Sequence, residues 1–190
     1  CISNPVTTFV TVNPRPQLPI VSSNSPLCDG DTLKLNVVTV ANGVYSWTGP
    51  NGFTSSLQNP TIANVTNINA GVYNVNISAN GCISETNNVN VIINPIPQSP
   101  IAGSNNPVCE GNILSLTASS IFGATYSWTG PNGFTSTEQN PDITNVSLAN
   151  AGDYEVTAYV NGCANIPDLA TVSVNTVNTG SVAFIFTGVD

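Results

Sequence analysis

The sequence predicts an all-β protein made of tandem β-sandwich modules with an 81-residue repeat, and three observations support this. Four landmark residues return 81 positions later, as the pairs Cys28/Cys109, Trp47/Trp128, Tyr73/Tyr154 and Cys82/Cys163. Apolar and polar residues alternate over short segments bounded by turn residues. No segment shows the 3.6-residue apolar period of a helix. A tandem array of similar modules favours a structural role, such as presenting a domain far from a surface, over a catalytic role.

The first strands of a module follow from alternation and from one turn. Leu33, Leu35 and Val37 alternate with polar or outward positions over residues 33–38, which predicts a half-buried strand. The next strand covers residues 44–47 and ends at the turn 50–52, whose Asn-Gly pair supplies the positive φ angles of a tight turn.

The remaining strands complete a sandwich. A short strand is expected around residues 62–65, and residues 73–77 alternate with period two. An Asn-Gly turn at residues 80–81 leads into a last strand that ends near residues 89–91. About seven short strands with turns between them are typical of a β-sandwich.

Composition excludes several classes of partner. Only 6% of residues are charged, Arg15 and Lys34 are the two basic residues, and the formal net charge is −8. Nucleic acid and anionic membrane surfaces are therefore poor partners. No apolar run reaches 18 residues, so no membrane insertion is expected. The absence of Met and of a signal peptide suits a mature fragment.

The repeat also predicts domain boundaries. Cys1 precedes Asn13 by the same 12 residues that separate Cys82 from Asn94. The predicted organisation is 1–13 as the last strand of a preceding repeat, 14–19 as a Pro-rich linker, 20–94 as module 1, 95–100 as a second linker, 101–176 as module 2, and 177–190 as the start of another domain or a strand-forming tail. Alternating prolines prefer extended, stiff backbone, which favours a semi-rigid rod. The alternative is that they only protect an edge strand.

The order of landmarks resembles an immunoglobulin-like domain, with a Trp on strand C and a tyrosine corner before strand F. Trp47 and Tyr73 hold these places in module 1, and Trp128 and Tyr154 hold them in module 2. We therefore expect these four side chains in the core, and not as sugar-stacking platforms. The module departs from antibody-type domains because the strand B and strand F cysteines are absent.

The amino-acid sequence of the repeat resembles the Ig-like/PKD-like repeats of very large surface and secreted proteins of Bacteroidetes more closely than it resembles antibody-type domains. The segments that carry this resemblance read PVCEGN (107–112), YSWTGPNGFT (126–135), NAGxY (150–154) and NGC (161–163). It covers residues 1 to about 176. The resemblance implies export, by the type IX route, and a stalk or adhesin role, gliding adhesins included.

Cysteine usage indicates an oxidising, extracellular compartment, because cysteines recur as pairs in small polar modules. The chain has no CxxC and no His, so a structural zinc site is not expected.

Two disulfide pairings remain open. In an immunoglobulin-like sandwich, Cys28 falls at the A–B turn and Cys82 follows strand F, at opposite ends of strands about 25 Å long. Because a disulfide spans at most about 7 Å between Cα atoms, the topology favours an inter-module bond between Cys28 and Cys163. Cys1 and Cys82 then pair with earlier repeats, and Cys109 pairs with a later one. The alternative is one bond per module, Cys28–Cys82 and Cys109–Cys163.

Other candidate sites are weaker. Asp29, Asp31 and Glu110 lie at module junctions, and their carboxylates are weak candidate Ca²⁺ ligands. The acids are too few for a well-filled site, so a solvated turn is the favoured explanation. Thr32 lies in a segment similar to the Asp-Ser/Thr-apolar O-glycosylation motif of Bacteroidetes. Lys34 as an isopeptide donor is disfavoured because it alternates outward. With no His and no repeated pair of acids, the chain is not expected to be an enzyme or to hold a cofactor.

The leading functional hypothesis is a structural or adhesive segment of a long extracellular fibre, stalk or surface adhesin. Its partners are neighbouring repeats and a surface glycan or protein ligand. One alternative is a glycan-binding accessory module of a secreted enzyme. Another is a self-assembling filament subunit in which residues 1–13 or 177–190 complete a neighbour's sheet.

Overall fold

The computed structural model describes residues 4–176 of the 190-residue chain. The chain divides into two units, Cys1–Pro95 (unit 1) and Ile96–Asp190 (unit 2). Both consist of short β-strands with single turns of 3-10 helix. Within residues 4–176, no helix has the length and apolar character that crossing a membrane requires.

Unit 1 has ten strands and two short 3-10 helices. The strands are β1 (Val21–Ser23), β2 (Leu27–Cys28), β3 (Leu33–Val37), β4 (Val44–Thr48), β5 (Thr54–Ser55), β6 (Thr61–Ile62), β7 (Gly71–Ala79), β8 (Cys82–Ile83), β9 (Asn87–Val91) and β10 (Ile93–Asn94). The 3-10 helices are Pro50–Gly52 and Asn67–Asn69.

These strands form two antiparallel sheets and one parallel pair. One sheet has the order β1-β3-β6, and the other has the order β5-β4-β7 with β8 and β9 both paired to β7. The parallel pair joins β2 to β10. The two sheets enclose one core, whose buried members are Leu27, Leu33, Leu35, Val37, Tyr45, Trp47, Val65, Tyr73, Val75, Ile77, Val91 and Ile93.

Alternation explains which side chains enter this core. In β3, Leu33 and Leu35 are fully buried, whereas Lys34 between them is exposed. Tyr73, Val75 and Ile77 of β7 likewise face inward. Because successive side chains of a strand point to opposite faces, a period of two places one apolar face on the core. The prediction of an all-β sandwich is confirmed.

Two Asn-Gly turns adopt the backbone that their residues favour. Asn51 and Gly52 have φ of 53° and 70°, and Asn80 and Gly81 have φ of 51° and 79°. Consecutive positive φ angles match the twist of a hairpin and are accessible to Asn and Gly at little cost. Both turns were expected from the sequence.

Unit 2 repeats the plan of unit 1. Its strands are β11 (Ala102–Ser104), β12 (Val108–Cys109), β13 (Leu114–Ala118), β14 (Thr125–Gly130), β15 (Phe134–Ser136), β16 (Asp142–Ile143), β17 (Gly152–Val160), β18 (Cys163–Ala164), β19 (Asp168–Val172) and β20 (Val174–Asn175), with 3-10 helices at Pro131–Gly133 and Leu148–Asn150. The sheets have the orders β11-β13-β16 and β15-β14-β17, with β18 and β19 paired to β17, and β12 pairs with β20.

One expected strand is shorter than predicted. The strand expected at residues 62–65 covers only Thr61–Ile62. Val65 is buried, but its backbone N–H donates to Asp31 and its carbonyl accepts from Gly30. Val65 is therefore tied to a turn and not to a sheet. The tail predicted at residues 177–190 lies outside the described residues.

Candidate functional site

The two tryptophans lie inside their units. Trp47 is 1% exposed, and its indole N–H donates to the carbonyl of Gln58 at 3.3 Å. Trp128 is equally buried and donates to Gln139 at 3.2 Å. A buried indole with its donor satisfied is a packing element and presents no face to a ligand.

Each unit has a tyrosine corner. The hydroxyl of Tyr73 donates to the carbonyl of Asn69 at 2.9 Å, and Tyr154 donates to Asn150 at the same distance. Burial raises the pKa of both phenols above their ordinary value, and in Tyr154 the hydrogen bond with Asn150 partly opposes that rise. The hydroxyl therefore stays protonated and ties the start of the long strand to the preceding turn.

A glycine makes room for each tyrosine ring. A Cβ atom on Gly49 would lie 2.5 Å from Cδ1 of Tyr73, and one on Gly130 would meet Tyr154 in the same way. The rings of Phe53 and Tyr73 also meet edge to face, with centroids 5.4 Å apart. This close approach explains why the shared Trp-Thr-Gly-Pro segment contains Gly at that point.

The cysteines fall into two states. Cys28 and Cys163 are disulfide-bonded, whereas Cys82 and Cys109 carry free thiols. The intra-module alternative required Cys82 and Cys109 as partners, so its two bonds do not form in this structure. Cys1 lies outside the described residues.

Cys28 lies at the A–B turn, defined here as residues 28–31. Its backbone N–H donates to the carboxylate of Asp31 at 2.8 Å, and the N–H of Asp31 donates back to the Cys28 carbonyl at 3.0 Å. Asn94 is the partner of Cys28 in the parallel β2–β10 pair, and the N–H of Asp29 donates to the Asn94 carbonyl at 3.0 Å. The last strand of the module therefore runs directly beside Cys28.

Cys82 closes the F–G turn, defined here as residues 80–82. The side-chain amide of Asn13 donates to the carbonyl of Asn80 at 2.9 Å. The thiol of Cys82 donates a hydrogen bond to the carbonyl oxygen of Asn13 at 3.5 Å. The segment that precedes module 1 is therefore attached to this turn.

Further contacts attach the linker to the module that follows it. Arg15 donates through Nε to the carbonyl of Ile83 at 2.9 Å and pairs with the carboxylate of Glu85 at 3.0 Å. In unit 2, the hydroxyl of Ser99 donates to the carbonyl of Ile166 at 2.8 Å. Sequence reasoning missed these contacts. No local sequence pattern relates Arg15 or Ser99 to the residues that they contact.

The candidate metal ligands do not converge. The Asp31 carboxylate closes its own turn, and the Glu110 carboxylate accepts the Leu148 N–H at 3.4 Å. Asp29 Oδ1 is buried without a hydrogen-bond partner. Across residues 4–176, no group of three or more His, Cys, Asp or Glu side chains is placed to hold a metal ion. Thr32 is exposed, as an O-glycan acceptor must be, and Lys34 is exposed as well.

An open groove lies over β4 and β5. Its volume is about 560 Å³, and its lining residues are Tyr45, Ser46, Trp47, Thr48, Thr54, Ser55 and Ser56. Hydroxyl groups dominate this lining, and Trp47 contributes no exposed ring. The groove offers polar contacts, but it lacks the apolar depth of a small-molecule site.

No protein-family model and no curated protein matches the chain. Solved structures do match. A structure described as a mouse coronavirus receptor-binding domain with its murine receptor has a TM-score of 0.52 at 14% identity, over 84% of this chain and 100% of the other. Extracellular domains 3–5 of Drosophila OTK have a TM-score of 0.50 at 14% identity, over 83% and 62% of the two chains. At this identity the likeness shows the fold alone, which is immunoglobulin-like.

Proposed function

We propose that the chain is a structural and adhesive stretch of tandem immunoglobulin-like modules in a long extracellular fibre, stalk or surface adhesin, without catalysis and without a cofactor. The observation that carries the proposal is the same core, built twice around a buried Trp and a tyrosine corner. The residues that the two modules share are core residues. A tandem array of such modules extends the chain and can present a ligand or domain at a distance.

The N-terminal segment supports a longer array. Val10 and Val12 are 82% and 85% exposed, whereas the residues 81 positions later, Val91 and Ile93, are 1% and 7% exposed in module 1. Residues 6–13 thus repeat the apolar pattern of the last strand of module 1, but their apolar side chains do not pack into its core. We assign them to a further module of the same kind.

An extracellular location fits the cysteine chemistry. A disulfide persists in oxidising compartments and is rare in the cytosol of mesophiles. The resemblance to surface proteins of Bacteroidetes points the same way. Antibody labelling of intact producing cells tests it: we expect labelling without permeabilisation. Labelling that appears only after permeabilisation would rule out a surface or secreted role.

The linkers favour a semi-rigid array. Proline stiffens their backbone, and hydrogen bonds such as Arg15 to Ile83 and Ser99 to Ile166 attach each one to its following module. Small-angle scattering of the chain should give a narrow range of interdomain distances. Broad, coil-like distances would show that the linkers are flexible.

A glycan-binding accessory module is the second candidate, and the groove over β4 and β5 favours it. A labelled chain on a glycan array distinguishes the two. The structural proposal expects no specific signal. A signal that Thr54→Val removes would instead assign the groove to sugar binding. Intact mass measurement of the native protein tests O-glycosylation, with Thr32→Val as the variant that should lose the added mass.

A further inference from the structure

The larger sheet of unit 1 presents an outer face of uncharged polar side chains. Its strands β4, β5, β7 and β9 contain no Asp, Glu, Lys or Arg, although the whole chain has a formal net charge of −8. Because alternate residues of a strand point to opposite faces, the burial pattern shows which residues point outward. The central members of this surface, which we call the amide face, are Ser46, Thr48, Thr54, Asn74, Asn76, Asn88 and Asn90.

The strand register arranges these side chains in rows across the sheet. Asn74 lies opposite Thr48 in β4 and opposite Asn88 in β9. Asn76 lies opposite Ser46 in the next row, about 7 Å further along the strands. The Cβ atoms of directly opposite residues on one face are about 5 Å apart. The amide face is therefore a regular array of hydrogen-bonding groups.

The amides of this face are not used inside the protein. Asn74 and Asn76 are half-buried, whereas Asn88 and Asn90 are exposed. None of these four side chains makes a hydrogen bond with another residue among residues 4–176. Each amide offers two N–H donors and one carbonyl acceptor. Since the strands already fix their positions, a ligand can bind these groups with little loss of conformational freedom.

The groove over β4 and β5 belongs to the same surface. Ser46, Thr48 and Thr54 line this groove, whose volume is about 560 Å³. Because Ser46 and Thr48 lie opposite Asn76 and Asn74, the groove continues into the amide rows of β7 and β9. Neighbouring strands are about 4.8 Å apart, so four strands make a surface about 14 Å wide. An open, shallow surface of this kind suits an extended polymer better than a compact small molecule.

Unit 2 builds the same strands with a different outer face. Glu155 and Leu169 stand where module 1 has Asn74 and Asn88. A second carboxylate, that of Asp153, already accepts a hydrogen bond from a neighbouring threonine at 2.6 Å. A carboxylate accepts hydrogen bonds but cannot donate them, and its charge repels anionic ligands. The array of amides is therefore a property of module 1 and not of the fold.

We propose that the amide face of module 1 is an adhesive surface for uncharged, hydroxyl-rich polysaccharide chains. The proposal rests on the proposed adhesive role and names its ligand class. Sugar hydroxyl groups both donate and accept hydrogen bonds, as primary amides do, so the two match without charge. Anionic polymers are repelled by the acidic chain. The face does not select one sugar, so short oligosaccharides on a glycan array should still give no specific signal.

Affinity gel electrophoresis of the intact chain tests the proposal, with hydroxyethyl cellulose in one gel and alginate in another. We expect hydroxyethyl cellulose to retard the chain and alginate to leave its mobility unchanged. Asn74→Glu and Asn88→Leu introduce the residues of module 2, and each should raise the dissociation constant about tenfold, because ligand hydroxyl groups lose their partners. Mobility in a gel without polymer corrects for the added charge. Equal retardation of the variants and the unmodified chain would overturn the proposal, as would equal retardation by alginate.

Matched controls make the test specific to this face. Glu155→Gln changes the net charge in module 2 and should leave retardation unchanged, so a loss of binding there would refute the assignment to module 1. Calorimetric unfolding verifies that each variant is folded, and Asn76→Thr, again the residue of module 2, replaces a variant that is not. Sedimentation without polymer detects self-association, and a dimer that Asn74→Glu disrupts would assign the face to a second copy instead. Surface labelling of intact cells does not depend on this face, so the two proposals fail separately.

Discussion

The two modules share the Trp, the Tyr and the turn that mark their cores, but they differ at two residues that contact each other. Trp, Tyr and the Pro-Asn-Gly turn are the same in both. By contrast, Ile77 and Ser84 of module 1 become Ala158 and Asn165 in module 2. The exchange shows that a large apolar residue with a small polar neighbour can be replaced by a small apolar residue with a larger polar neighbour.

The exchanged pair is in direct contact in both modules. Ser84 Oγ accepts the N–H of Ile77 at 2.9 Å, and Asn165 Oδ1 accepts the N–H of Ala158 at 2.5 Å. Ser84 and Asn165 are also the buried polar residues that the structure records. A buried polar group is stable only when it is hydrogen-bonded, so this position keeps a polar side chain while its size follows the neighbour.

The largest loss of stability is expected at the tryptophans, which both modules contain. Trp47→Ala should destabilise module 1, and Trp128→Ala should destabilise module 2, each by about 3–5 kcal/mol, because a fully buried indole leaves a cavity. Calorimetric unfolding measures the loss in the substituted module, and the fluorescence of the remaining Trp identifies the transition of the unmodified module. Unequal losses that differ by more than about 2 kcal/mol would show that the two cores are not equivalent.

The exchanged pair gives the next largest effect. Ile77→Ala alone should cost about 2–5 kcal/mol, since Ile77 is fully buried. Adding Ser84→Asn reproduces the pair of module 2 and should recover part of that loss. Calorimetric unfolding of the single and double variants measures the coupling. The reverse change, Ala158→Ile, should overpack module 2. Strict additivity would mean that the pair is coincidental.

Much of the sandwich was predictable because it depends on local pattern. The alternation of Leu33, Leu35 and Val37 places one face of β3 on the core in any sandwich. The division of the first strand into β1 and β2 was not predictable, because the pairing of Leu27 and Cys28 with β10 depends on a segment distant in sequence.

The candidate site was predictable only in outline. Pattern alone left the two cysteine pairings open, because bonding depends on which turns meet in space. The contact of Asn13 with Cys82 was also hidden, since no local rule relates a linker amide to a turn in the following module.

The tyrosine corners should give a smaller and equal effect. Tyr73→Phe and Tyr154→Phe each remove one hydrogen bond of 2.9 Å while keeping the ring. We expect a loss of about 1 kcal/mol in either module. Urea unfolding of the two variants provides the comparison, and a neutral result in one module alone would contradict the equivalence of the corners.

The same tyrosines predict alkaline sensitivity. Their pKa is raised in the folded state by burial, so the folded chain binds the phenolic protons more tightly than the unfolded chain. The contribution of these two tyrosines to stability is therefore fully present below the ordinary phenol pKa of about 10, and it is lost as the pH rises above that value. Melting temperatures between pH 8 and 11 should decline less steeply in the double Phe variant.

The smallest effect concerns the linker, where Arg15 and Glu85 of the first junction become Ile96 and Ile166 in the second. The ion pair is 3.0 Å long, but its side chains are 58% and 71% exposed. Such a pair contributes about 0–1 kcal/mol and less at high salt.

Two effects determine how each single variant of this pair changes the stability: the loss of the ion pair and the change in net charge. Glu85→Gln removes the ion pair but also reduces the net negative charge from −8 to about −7, so the net loss of stability should be close to zero. Arg15→Gln removes the same pair and raises the net negative charge, so it should destabilise more, and 1 M NaCl should abolish most of the difference. Thermal unfolding at low and high salt measures both. If Glu85→Gln were the more damaging variant, the carboxylate would have a role in the junction that its exposed pairing with Arg15 does not explain.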